Sequence, residues 1–135
     1  MTISVEGEFD DLSYRVIGVA LEVHQVLGPG LPEFMYLAAM RVALRHRGFK
    51  YESEVRVPVR FEGVSVGVAR IDLIVDQSLI LELKAVDALQ DVHLAQVRTY
   101  LSLTGFKLGL LMNFNSAKLV VRRVVLNWAA LPAHS

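Results

Sequence analysis

Seven residues of this chain, Leu79-Ile80-Leu81-Glu82-Leu83-Lys84-Ala85, set the narrowest limits on its fold. The odd positions are leucine up to the closing alanine, and the even positions are Ile80, Glu82 and Lys84. Side chains in a β-strand repeat with a period of two, so Glu82 and Lys84 share one face of an otherwise apolar strand. Charges inside such a strand are costly to bury without partners. The segment therefore needs groups close by that compensate a carboxylate and an ammonium.

The preceding strand, expected over 64–75, supplies candidates. By the same period, Arg70, Asp72 and Ile74 share one face, and Ile71, Leu73 and Val75 share the other. A hairpin loop of Asp76-Gln77-Ser78 sets Val75 opposite Leu79, which puts Asp72 opposite Glu82 and Arg70 opposite Lys84. A loop one residue shorter would slip the register and part the two acids. In the first register, two carboxylates about 4–5 Å apart repel by roughly 3–4 kcal/mol at an effective dielectric near 20. A divalent cation between them reverses that sign. Hard oxygen ligands of this kind suit Mg2+ or Mn2+, with water and phosphate oxygens completing the shell. Such an ion polarises a phosphodiester and acidifies a bound water, and Lys84 would orient that water or stabilise developing charge. The same spacing also fits ordinary strand carboxylates held by Arg70 and Lys84 as ion pairs.

Around this pair the chain divides into helices and strands that do not strictly alternate. Leu12, Val16, Val19, Ala20, Val23 and Leu27 fall at helical spacing, with Asp10, Asp11 or Ser13 as a cap and Gly28-Pro29-Gly30 as a stop. A second helix is expected over about 32–47, between Pro32 and Gly48. Ser53, Val55, Val57, Val59 and Phe61 alternate with polar residues, and Pro58 makes that strand an edge or a bulged one. A third helix is expected over about 89–103, stopped at Gly105, and strands over about 106–113 and 118–126 close the chain. The order ααβββαββ reads as α/β, with a central mixed sheet flanked by helices in one domain over 11–127. A flexible lead-in over 1–10 and a tail over 128–135 flank it.

Composition removes whole classes of function. The 135 residues are 53% hydrophobic and 21% charged, too apolar for disorder. The mean hydropathy of +0.42 points to a homo-oligomer, a homodimer at its simplest, that covers some apolar surface. Lys+Arg and Asp+Glu balance at 14 each, so there is no generic basic coat for nucleic acid, though a local groove stays open. With no cysteine, disulfides, thiolate zinc, iron–sulfur clusters and thiol catalysis are excluded. No apolar run approaches ~18 residues, so no membrane partner is expected. The acidic start is unlike a signal peptide, which leaves the cytoplasm as the simplest location.

Asp72 with Glu82-Leu83-Lys84 resembles the PD-(D/E)xK signature of the restriction-endonuclease-like nucleases, with Ile71 where that signature has proline. Gly30-Leu31-Pro32-Glu33-Phe34-Met35-Tyr36 resembles the motif of the GxxExxY family, a branch of that superfamily. Leu21-Glu22-Val23-His24, Leu27-Gly28-Pro29-Gly30, the stretch 80–86 and Asn113-Phe114-Asn115 are similar to that family too, so the resemblance spans about 12–126. It implies a nuclease-like fold and a metal-dependent nuclease, with Asp72 and Glu82 holding Mg2+ (Mn2+ substituting) and Lys84 as the catalytic lysine. Glu33 would be a further catalytic carboxylate. Gln96 and Tyr100 match the Q-x-x-x-Y pattern of the exonuclease-like subgroup, which directs them at the site and the substrate backbone. The implied partner is nucleic acid, DNA before RNA. A silent nuclease-like fold serving as a nucleic-acid-binding or protein-interaction module is the alternative.

The remaining candidates read two ways. An acid at Glu33 also favours a helix dipole. Tyr36 is either a substrate contact or a core residue with a bonded hydroxyl. Gln96 and Tyr100 lie four apart on one helical face, in a stripe shared with His93 and Leu89. His93 is either a proton-transfer residue near the site or part of a half-buried face. His24 suits a helix C-terminus. Arg56, Arg60, Arg122 and Arg123 on strands, and Arg41, Arg45, His46, Arg47 and Lys50 at a helix end, are either phosphate contacts or solvated faces.

Overall fold

A computed structural model describes residues 3–6 and 10–126; the tail expected over 128–135 lies outside the described residues, as do positions 1–2 and 7–9 of the lead-in. The elements are β1 (Ile3–Glu6), α1 (Asp11–Leu27), α2 (Glu33–His46), β2 (Tyr51–Phe61), β3 (Val64–Val75), β4 (Leu79–Lys84), α3 (Asp91–Thr104), β5 (Leu108–Asn113) and β6 (Leu119–Val125). The expected ααβββαββ order is present, preceded by one more strand. That strand, β1, lies in the stretch read as a lead-in and pairs parallel with β6, from Ile3↔Leu119 to Glu6↔Arg122. Its partner is at the far end of the sequence, so four residues of local pattern could not announce it.

Local chemistry sets the helix ends. The Asp10 carboxylate accepts the Ser13 N–H at 2.8 Å and so caps α1. The helix stops at Gly28, whose φ of +67° favours glycine. The third helix starts at Asp91 rather than Leu89 because Gln90 and His93 cap it reciprocally, with the Gln90 N–H donating to His93 Nδ1 at 2.9 Å. His93 is thereby a cap.

The strands form one mixed sheet in the order β1-β6-β5-β4-β3-β2. Neighbours β2/β3, β3/β4 and β5/β6 are antiparallel, and β4/β5 and β1/β6 are parallel. Pro58 sits on the edge strand β2, and a register shift follows between Val59 and Arg60, so the proline marks both an edge and a nearby irregularity. Val16, Ala20, Met40 and Leu44 of α1 and α2 pack with Leu73, Leu81, Leu83 and Met112 in one buried cluster. Val97, Tyr100 and Leu101 of α3 pack with Ile74, Ile80 and Leu111 in a second. The sheet is therefore the middle layer between α1/α2 and α3, which explains why β4 is apolar on both faces. Helix α3 approaches closely at Gly109, where a Cβ would lie 2.6 Å from Val97 Cγ1.

Ile71 does not share a face with Leu73 and Val75, although a strict period of two predicts that it does. Ile71 packs in the α3 cluster, while Leu73 and Val75 pack in the α1/α2 cluster. The alternation reverses at Asp72, where the neighbouring β2 residue Glu54 has φ +54°. That left-handed conformation interrupts the pleat and turns the outer hairpin over.

Candidate active site

The β3–β4 register is the one that a three-residue loop predicts: Val75 faces Leu79, Ile74 faces Ile80 and Leu73 faces Leu81. The paired ladder ends there, and the next residue on each strand is an acid. Asp72 takes over from the missing ladder by accepting the Leu83 backbone N–H at 2.8 Å. Glu82 is buried beside it and shares a hydrogen bond with the Asp72 carboxylate. Burial is the main reason that the Glu82 carboxyl is pushed up to about 9, with the Asp72 hydrogen bond and charge adding to it. Lys84 opposes that shift from two residues along the strand. Near neutral pH this favours a protonated Glu82 facing Asp72.

Three further predicted residues meet this pair. Glu33, the first residue of α2, lies by the Ala85 backbone and feels the charges of Lys84, Asp72 and Arg70. Its carboxyl is raised, first by desolvation and then by Asp72, against the pull of Lys84. Tyr100 is buried on α3, and its hydroxyl lies among Glu82, Asp72 and Gln96. Its hydroxyl is pushed up to about 12 by burial and by the neighbouring acids. Gln96, one turn before Tyr100, is half-buried on the same face. Asp72, Glu82, Lys84, Glu33, Gln96 and Tyr100 thus surround one end of the split between β3 and β4.

Tyr36 is not among them. It is fully buried, its ring stacks on Phe114 with centroids 4.9 Å apart, and its hydroxyl donates to the Gly28 carbonyl at 2.5 Å. It also accepts the Leu31 N–H at 3.2 Å. With its ring enclosed and its hydroxyl committed, Tyr36 holds the loop ahead of Glu33 and is out of reach of a substrate. His24 is also buried, and its Nε2 bonds the Ser116 carbonyl at 2.9 Å.

Two asparagines hold the site together in a way that residue spacing does not reveal. Asn113, at the end of β5, donates to the Val86 carbonyl at 2.9 Å and accepts the Val86 N–H at 3.1 Å. The Phe114 N–H donates to the Lys84 carbonyl at 2.9 Å. Asn115 accepts the Gly30 N–H at 3.1 Å. The segment after β5 therefore ties the end of β4, which carries Lys84, to the loop that starts α2 and carries Glu33. A polar-apolar-polar triplet leaving a buried strand is the only local trace of this.

The donor set suits a hard cation. Asp72 and Glu82 are oxygen ligands set side by side, and a divalent ion between them would offset their mutual repulsion. Among the described residues no group of three or more His, Asp or Glu side chains gathers as a ligand set. The protein offers such an ion two carboxylates and leaves the other positions open. A family model described as the PD-(D/E)XK nuclease superfamily matches residues 10–124. No curated protein matches the chain. No solved structure matches it.

Proposed function

This chain belongs to the PD-(D/E)XK nuclease superfamily, and from that premise we propose that it is a metal-dependent phosphodiesterase acting on nucleic acid. The observation that carries the reading is the Asp72–Glu82 pair beside Lys84, with Glu33 converging from α2. Asp72 and Glu82 would hold Mg2+, with Mn2+ able to substitute. When bound, the ion polarises a phosphodiester oxygen and acidifies water. Lys84 orients the attacking water and balances charge on the phosphoryl group. Glu33, at the start of α2, would exchange a proton with that water at its carboxyl. Gln96 and the nearby Tyr100 hydroxyl would contact the substrate backbone.

The substrate is nucleic acid, with DNA ahead of RNA, and a homodimer in the cytoplasm is the working assembly. No helix among the described residues is long and apolar enough to cross a membrane. A second reading, a silent nuclease-like module that binds nucleic acid or protein, is favoured by the burial that raises the Glu82 carboxyl, because a metal must displace its proton.

The test is cleavage of labelled single- and double-stranded DNA and RNA with Mg2+ or Mn2+, run beside Lys84→Ala. Cleavage that disappears in the variant supports the phosphodiesterase. Equal cleavage by both proteins indicates a contaminant. No cleavage of any substrate with either metal favours the binding module.

A further inference from the structure

The outer hairpin of β2 and β3 carries Arg56 and Arg70 directly opposite each other. Residues in direct cross-strand register point to the same side, and like charges so placed destabilise a sheet. Both arginines are exposed, so the hairpin does not bury them for packing. Arg56 forms no ion pair among the described residues. Arg70 has a single carboxylate partner, Glu54, at 3.7 Å, with both side chains about half open to water. A surface pair of this kind contributes little to stability.

Glu54 is also the strand residue held at φ +54°. A glutamate in left-handed backbone within a strand is strained. Two unfavourable choices, an opposed arginine pair and a strained glutamate, thus coincide at one place. That place adjoins the acids. Arg70 is two residues from Asp72, and its charge acts on Glu33. Arg60, also exposed, lies four residues beyond Arg56, about 13 Å along the strand.

We propose that Arg56 and Arg70 form a phosphate-backbone contact for a nucleic-acid strand leaving the site. The inference rests on the phosphodiesterase reading for where the strand starts, but the contact itself needs neither metal nor cleavage. A phosphate between the two guanidinium groups turns their repulsion into attraction, and the fork geometry of arginine suits phosphate oxygens. Such contacts position a backbone without reading sequence.

The test is binding of a fluorescein-labelled 20-nucleotide DNA, single-stranded and as a duplex, in EDTA across a salt series. Arg56→Gln and Arg70→Gln should each lower the slope of log K against log salt, by about 0.7 on the single strand and about 0.9 on the duplex. Arg56→Lys and Arg70→Lys should keep most of the slope. Lys107→Gln, exposed just before β5 at the end of the sheet opposite Lys84, should leave it unchanged. Unchanged slopes in both glutamine variants overturn the proposal, as does an equal fall in Lys107→Gln or no binding by the unaltered protein. Arg56 lacks an ion pair, so its variant stays informative if Arg70→Gln folds poorly. Cleavage with unchanged slopes rejects this contact and leaves the phosphodiesterase standing. Lowered slopes without cleavage under any metal do the reverse.

Discussion

The Leu83 backbone N–H donates to the Asp72 carboxylate at 2.8 Å, at the point where the β3–β4 ladder has just ended. One side chain therefore does two jobs: it replaces a lost strand pairing, and it presents a second oxygen toward Glu82. The two jobs separate by substitution. Asp72→Asn keeps an oxygen for Leu83 but loses the charge, so metal-free stability should hold or rise while Mn2+ binding and cleavage are lost. Asp72→Ala strands a buried donor and should cost about 1–3 kcal/mol as well. Urea melts of the two variants, beside Mn2+ titration by calorimetry, check the contrast.

Glu82 sets a pH dependence opposite to that of a salt-bridged acid. Its folded value, about 9, lies above the ordinary 4.5, so between those values the folded chain holds a proton that the unfolded chain has released. Stability of the metal-free protein should fall as pH rises through that window and level off above it. Glu82→Gln should flatten the fall. Mn2+ should flatten it too, because the ion displaces the proton, and calorimetry in two buffers should show proton release on binding at pH 7. A metal-free melting temperature that rises from pH 5 to pH 9 contradicts this account.

The acid pair was legible because it depends on counting. A three-residue loop and a period of two bring Asp72 to Glu82, and a period of 3.6 brings Gln96 to Tyr100. Ile71 could not be placed by counting, since the face it occupies depends on the backbone of Glu54 on a neighbouring strand. Tyr36 was ambiguous for a similar reason: the loop carbonyl and the Phe114 ring that claim it come from distant segments. Asn113 and Asn115 showed no periodic signal at all, because both act on backbone groups of loops that meet only in the folded chain. Patterns within one element, or across one tight turn, are readable; contacts that require the third dimension to be closed are not.

Tyr36→Phe tests the loop that precedes Glu33. The change keeps the stacked ring but removes the bonds to Gly28 and Leu31. Leaving those groups without their partner should cost about 1–3 kcal/mol. The start of α2 is then less fixed, so kcat for DNA cleavage should fall more than KM rises. Thermal melts and steady-state kinetics on the same preparation decide it, and an unchanged melt with unchanged kcat refutes the tethering role.

Gly109→Ala tests how α3 is seated against the sheet. The new Cβ would lie 2.6 Å from Val97 Cγ1, a contact that cannot stand without movement. Overpacking of this kind should cost about 1–3 kcal/mol. Val97 is on the same helix as Gln96 and Tyr100, so a shift of α3 should also reduce cleavage. Val97→Ala removes the clashing methyls, and in the double variant the two costs should add up to less than their sum. Additive losses in a double-mutant cycle would mean that α3 is not held by the Gly109 contact.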